Sequence, residues 1–397
     1  MTQADRSFES PTSAGSRRLV VVVGAFGDET VRSVEETMAT LGIRVTFVTR
    51  CEDAGAALTG TEPLAIVVRL DAPNAEQTYG YLRGQARFGH VPLLGVAAER
   101  NDLAFAELFS WGGDDLVELS SPQSLVRRVR PLSLNRQVSS GEWPVEQGGA
   151  IVASADARWR SVMGRALGNG GFSVRFVSTT DELQKESVTA GVRLVVAVDE
   201  LASAGLAPLL RKAREDGSVT PWVAVASPKR MAPLLGEIAG LGPVSIADGY
   251  APPENVLFLA NELLARRDRN LRASPRLLYG TSIAFRAAGR DEDEVGFSYN
   301  VSAGGVYVRT LAPLGAQEEV WLEMWPPRSE RRVRLSGRVA WTRAFGPHQR
   351  ATVPSGFGVR ITEGLAGDLD RWNEGYDIFA ESVLGTQRDR NAPVPRP

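Results

Sequence analysis

The chain has 397 residues, 43% of them apolar and 23% charged, with a formal net charge of −2. That length exceeds one ordinary core and fits two or three domains, and the composition excludes wholesale disorder. The near-neutral charge gives no general pull toward DNA or anionic lipid, and no run approaches the roughly 18 apolar residues of a membrane span.

The leader, residues 1–16, is polar and lacks the apolar stretch of a signal peptide, so it reads as disordered and the chain as cytoplasmic. Arg18–Gly24 (RLVVVVG) is a strand buried on both faces, and Asp28–Leu41 is a helix with Val31, Val34, Met38 and Leu41 at helical spacing. Strand-like runs follow at Val45–Val48, Leu64–Leu70, Pro92–Ala97 and Leu116–Leu119, and the helix Gln123–Val129 closes the unit. Five strands alternating with five helices in about 115 residues predict a doubly wound parallel sheet.

After a polar stretch without periodicity, Leu134–Gly149, the pattern starts again. Strands are predicted at Ala150–Ala153, Ser173–Val177, Leu194–Val198, Trp222–Ala226 and Val244–Ile246, with helices including Arg158–Leu167 and Asn255–Leu264. From Leu271 the strands alternate apolar and polar residues, as in Gly305–Thr310, Val320–Met324 and Val333–Trp341, which predicts a small antiparallel barrel or sandwich. Leu365–Ala380 is a candidate closing helix, and the charged, proline-rich Gly385–Pro397 reads as disordered. The expected fold class is therefore α/β plus all-β. Its parts are the leader (1–16), a first α/β domain (17–133), a linker (134–148), a second α/β domain (149–268), a β-barrel (269–382) and a disordered tail (383–397).

Both α/β units resemble receiver domains of bacterial response regulators. The first carries Gly112-Gly113-Asp114-Asp115-Leu116 followed by Ser121-Pro122, similar to a signature of that family. Phosphotransfer needs two acids to hold a cation beside the phosphoacceptor carboxylate. Here Gly24 and Ala25 occupy the acidic-pair positions, Arg69 takes the phosphoacceptor place, Ala97 replaces the hydroxyl residue and Ser121 the lysine. In the second unit Ser154 and Ala155 replace the acids and Ala251-Pro252 the Lys-Pro pair. Asp199 ends an apolar strand as the one weak phosphoacceptor candidate, though a strand-end Asp that caps the next turn explains it better. Gly24-Ala25-Phe26-Gly27 lacks the spacing of a dinucleotide loop and reads as a tight strand–helix turn. Both units read as degenerate receivers serving as docking or dimerisation surfaces, so an unidentified protein partner is expected and a homodimer stays open.

Arg272-Ala273-Ser274-Pro275-Arg276 forms an R-x-x-x-R pair, and Asn300-Val301-Ser302-Ala303-Gly304-Gly305 begins 24 residues after Arg276. With Gly304–Val308, Gly337–Trp341 and Gly356–Val359, these segments resemble the PilZ domain over about residues 270–380. The resemblance implies binding of cyclic di-GMP through Arg272, Arg276, Asn300, Ser302 and Gly305, with outputs such as motility, pili or exopolysaccharide. The chemistry is consistent: a guanidinium fork binds phosphate bidentately and also pairs with guanine O6 and N7. Asn300 and Ser302, two apart on a strand, face the same way. A basic cluster after a helix and a plain hairpin turn are the alternatives for the two motifs taken singly. Trp321, Trp325 and Trp341 are expected in barrel packing. Cys51 is the only cysteine and His90 and His348 are the only histidines, so no metal site, catalytic residue or cofactor is expected. The expected function is a non-enzymatic second-messenger effector; a nucleotide-independent scaffold is the alternative.

Overall fold

Four consecutive valines following Leu19 can be buried only inside a sheet covered on both faces. In a computed structural model of the protein, which describes residues 18–134, 147–265, 274–346 and 353–391, all five are buried in strand β1 (Leu19–Val23). It is followed by α1 (Asp28–Ala39), β2 (Arg44–Val48), the single turn α2 (Ala54–Ala57), β3 (Ala65–Arg69), α3 (Ala75–Gly84) and β4 (Leu93–Val96). The unit ends with α4 (Asp102–Ser110), β5 (Asp115–Val117) and α5 (Pro122–Leu134). The strands are parallel in the order β2-β1-β3-β4-β5, the doubly wound order of flavodoxin-like sheets.

The second unit repeats this plan. Its elements are β6 (Gly148–Ala153), α6 (Ala157–Asn169), β7 (Phe172–Val177), α7 (Thr180–Ser187), β8 (Val192–Val198), α8 (Leu206–Glu215), β9 (Trp222–Ala226), α9 (Pro228–Ile238), β10 (Val244–Asp248) and α10 (Pro253–Ala265). The sheet order β10-β9-β8-β6-β7 is the same permutation read from its other edge. Most of the linker expected between the units, like the leader and Arg272, falls outside the described residues.

The third unit is antiparallel: β11 (Leu277–Leu278), β12 (Ser282–Ala287), β13 (Glu294–Ser302), β14 (Gly305–Arg309), β15 (Glu319–Met324), β16 (Val333–Arg343) and β17 (Gly356–Gly364). Pairing runs β13-β12-β15-β16-β17-β14 and returns to β13, so six strands close into a barrel with β11 added beside the end of β13. Val333, Leu335, Gly337 and Val339 point inward on β16 while Arg334, Ser336 and Arg338 point out, which is the alternation a half-solvated strand requires. A closing helix, α11 (Asp368–Asn391), stoppers the barrel with Trp372 and Tyr376. It starts after a turn in which Ala366 and Gly367 both have positive φ, and it runs through residues 385–391, where a disordered tail was expected. The apolar residues Trp372, Tyr376, Phe379 and Val383 recur at helical spacing along it. The first proline after α11 is Pro393, which together with its predecessor disfavours continued helix.

Aromatic packing and buried ion pairs are among the contacts that dock the barrel on the first unit. Phe297 leaves the barrel wall and sits 5.1 Å from Phe105 and 5.5 Å from Phe109, ring centre to ring centre, inside the core of the first unit. Beside it, the fully buried Arg128 of α5 donates to Asp115, to Glu294 and to the Val295 carbonyl.

Candidate functional site

Strand pairing brings the two arginine-linker and hairpin motifs side by side. Leu277 pairs with Val301 and Leu278 with Asn300, so Arg276, one residue before β11, follows on toward Ser302. Asn300 is 4% exposed and also pairs with Tyr307, across an irregularity between Ser298 and Asn300. The Ser302 hydroxyl lies 3.4 Å from the Gly305 carbonyl, across the turn between β13 and β14. A Cβ on Gly305 would fall 2.3 Å from the Val359 carbonyl oxygen, so glycine is required there by the close approach of β17. Arg276 is half-buried; Arg272 lies outside the described residues.

Two residues that the sequence reading did not single out hold these segments. From α11, Tyr376 Oη donates to the Pro275 carbonyl at 2.8 Å, and Trp372 Nε1 donates to the Ala303 carbonyl at 3.0 Å. Their spacing of four on an expected closing helix was the available signal. Next to Asn300, Tyr299 Oη donates to the Glu254 carbonyl and Tyr307 Oη to the Pro354 carbonyl, each at 2.6 Å. Burial raises both phenols well above their ordinary range, so they remain donors. Trp341 stacks on Tyr307 with ring centres 4.9 Å apart, and Phe258 of α10 meets Tyr299 edge-on. Trp321 and Trp325 lie on the outside of the barrel, half-exposed, beneath Arg286 and Arg332 respectively.

The carboxyl ends of the two parallel sheets differ from a phosphotransfer site. Arg69, at the end of β3, donates to both oxygens of Asp71 and to the Ala25 carbonyl. Gly24 has φ +131° and a Cβ there would lie 2.7 Å from Arg69 Cβ, so the glycine leaves room for this arginine. In the second sheet Asp199 is 4% exposed; Oδ1 accepts from the Leu206 amide at the start of α8, and Oδ2 from Arg230 at 2.7 Å. Ser154, at an acidic-pair position, accepts from the Asp156 amide. No group of three or more acids, histidines or cysteines is placed to hold a metal among the described residues.

Asp114 and Asp115 lie at the opposite, amino-terminal edge of the first sheet, and each bonds to another unit. Asp114 accepts from Arg83, from both terminal nitrogens of Arg165 on α6, and from the Leu93 amide, all at 2.9 Å. Burial pushes its carboxyl up, but Arg165 and Arg83 outweigh that and hold it below the ordinary range. Asp115 accepts from Arg128 and Thr310 Oγ1 at 2.9 Å and from the Leu311 amide at 2.7 Å. Arg309, at the end of β14, grips both oxygens of Glu254, donates to the Gly113 carbonyl and lies 3.5 Å over the Phe109 ring. These partners are up to 196 residues apart, and no local pattern announces them.

Comparison with known proteins places the third unit in a family. Residues 270–372 match the PilZ domain model. No curated protein matches the chain significantly. Among solved structures, the Bacillus subtilis inhibitor of motility MotI/DgrA is similar at 17% identity, with 31% of this chain covering 54% of that one and a TM-score of 0.23. The chemotaxis response regulator CheY4 of Vibrio cholerae is similar at 16% identity over 28% of this chain and 98% of that one, with a TM-score of 0.26. The PilZ domain of CeSA from a cellulose-synthesizing bacterium is similar at 16% identity over 29% of this chain and 99% of that one, with a TM-score of 0.20. No described helix is long and apolar enough to cross a membrane.

Proposed function

With a PilZ domain at residues 270–372, we propose that the protein is a non-enzymatic effector that binds cyclic di-GMP between the arginine linker and the barrel. The ligand phosphates and guanines meet Arg272 and Arg276, and Asn300 and Ser302 hydrogen-bond a guanine edge at the end of β13, with Gly305 across the turn. The observation that carries this reading is the β11–β13 register, which sets the residues after Pro275 against those of the Asn300–Gly305 turn. Tyr376 and Trp372 act as positioning residues for the two segments.

The relay runs through the receiver-like units to a protein partner. Two routes from the site converge on one ion pair. The β13–β14 hairpin has the Asn300–Gly305 turn at its tip and Arg309 at its base, while the linker before Arg276 continues from α10, which begins beside Glu254. Arg309 and Glu254 are paired bidentately at 2.9 and 3.0 Å. Occupancy that shifts either segment therefore acts on the contact between barrel and second unit.

Isothermal titration of cyclic di-GMP tests the binding step. The parent is expected to bind at micromolar or tighter affinity, and Arg272→Ala/Arg276→Ala to lose it. No heat from a folded parent would overturn the effector reading and leave a nucleotide-independent scaffold.

A further inference from the structure

A small cavity lies where the three units meet. Its walls include Asp114, Asn169, Glu254, Arg309, Arg343 and Ser355, and it offers about 30 Å³. Four guanidinium groups gather at and behind these walls, and three of them have carboxylate partners. Arg83 and Arg165 share Asp114, and Arg309 takes both oxygens of Glu254. Arg343 has no carboxylate partner among the described residues. Its Nη2 reaches the Asn169 carbonyl at a long 3.3 Å, while Nε and Nη1, both sealed from solvent, have no hydrogen-bond partner among the described residues.

Among the described residues two carboxylates thus face four cations, Arg83 and Arg309 buried and Arg165 and Arg343 half-buried, which leaves an excess of positive charge largely out of water. A buried charge without a counter-charge is among the costliest arrangements in a protein. Burial lowers the Arg343 guanidinium from its ordinary range, and burial together with Arg165 draws Arg83 down to about 9. A guanidinium keeps its proton at neutral pH, so the charge has to be balanced otherwise. The cavity exceeds the roughly 10–15 Å³ that one water-sized occupant needs, and is far too small for an organic anion.

We propose that this cavity is a site for a small inorganic anion of chloride size, bound by Arg343 and serving as the missing counter-charge of the three-way junction. It is separate from the proposed dinucleotide site.

The test is thermal unfolding of the full chain in sodium chloride and in sodium gluconate at equal ionic strength, for the parent and for Arg343→Met. The parent is expected to melt about 2–4 °C higher in chloride, with a saturable dependence on its concentration. Arg343→Met is expected to melt equally in both salts, and above the parent in gluconate, because an apolar side chain replaces an uncompensated charge. Equal melting of the parent in both salts, or a variant that keeps the parent's chloride response, would overturn the proposal. Should the variant fail to fold, parent crystals grown in bromide decide: an anomalous peak in the cavity supports the site, and its absence rejects it.

Discussion

The two α/β units share one sheet order and have both lost the acidic pocket, yet they place their remaining buried carboxylates at opposite ends. In the second unit Asp199 stays at the carboxyl edge, where a receiver does its chemistry, and is held by the Leu206 amide and Arg230. In the first, that edge carries Arg69, and the buried acids Asp114 and Asp115 sit at the amino-terminal edge against the other two units. In the first unit an arginine at one end of the sheet thus accompanies a structural junction at the other. One unit has become the centre on which the others dock, while the other keeps a local, partly solvated ion pair.

Removing one partner from each arrangement should separate them most sharply. Arg128 is fully buried between Asp115 and Glu294, so Arg128→Met leaves buried Asp115 without its cation and Glu294 with Arg127 alone, and is expected to cost about 3–5 kcal/mol in denaturant unfolding. Arg230→Met removes the partner of Asp199 from a half-exposed position and is expected to cost much less. Similar losses for both would erase the distinction drawn between the two carboxylate sites.

A second, smaller effect concerns what Asp199 does. As the acceptor for the first amide of α8 it acts as a helix cap, and Asp199→Ala is expected to lose about 0.5–2 kcal/mol of stability. Beryllofluoride with Mg²⁺ should leave the melting temperature of parent and variant unchanged, because Ser154 and Ala155 stand at the acidic-pair positions and Ala251-Pro252 at those of the Lys-Pro pair. A beryllofluoride-dependent rise in the parent that Asp199→Ala abolishes would restore phosphorylation as an input.

Much of this architecture was legible from periodicity. The valine run of β1, the restart of the α/β pattern at residue 150 and the alternation along β16 each state a burial pattern that one kind of element can satisfy. Helix α11 was legible as far as its apolar stripe, whereas its last turns carry polar residues that composition alone assigns to a tail. The hairpin half of the candidate site was legible because its residues are contiguous. The junction was not. Asp114 and Asp115 stood out in sequence only as part of the Gly112–Leu116 segment, Arg128 and Arg309 are ordinary charges there, and the partners from units nearly two hundred residues away carry no sequence signal. Tyr376 and Trp372 fall between these cases: their helix face was predictable, but the carbonyls they hold were not.

The smallest expected effect bears on how the junction responds to acid. His90 is half-buried next to Gly89, whose carbonyl accepts from Arg165. Burial lowers its imidazole from the ordinary value, Glu62 opposes that, and Arg165 and Arg83 add to the lowering. A folded-state value below the unfolded one means that the unfolded chain takes up the proton first. The stability His90 contributes is therefore intact above about pH 6.5 and is lost as pH falls from there through the lowered folded value. Asp114, also depressed, begins to contribute its own loss only below about pH 3.9, so the two windows are separable. Denaturant midpoints taken at about pH 7.5 and about pH 5.5 should fall on acidification in the parent and fall less in His90→Gln. Equal slopes would mean that neither burial nor the cations of the junction lower the His90 imidazole in the folded chain.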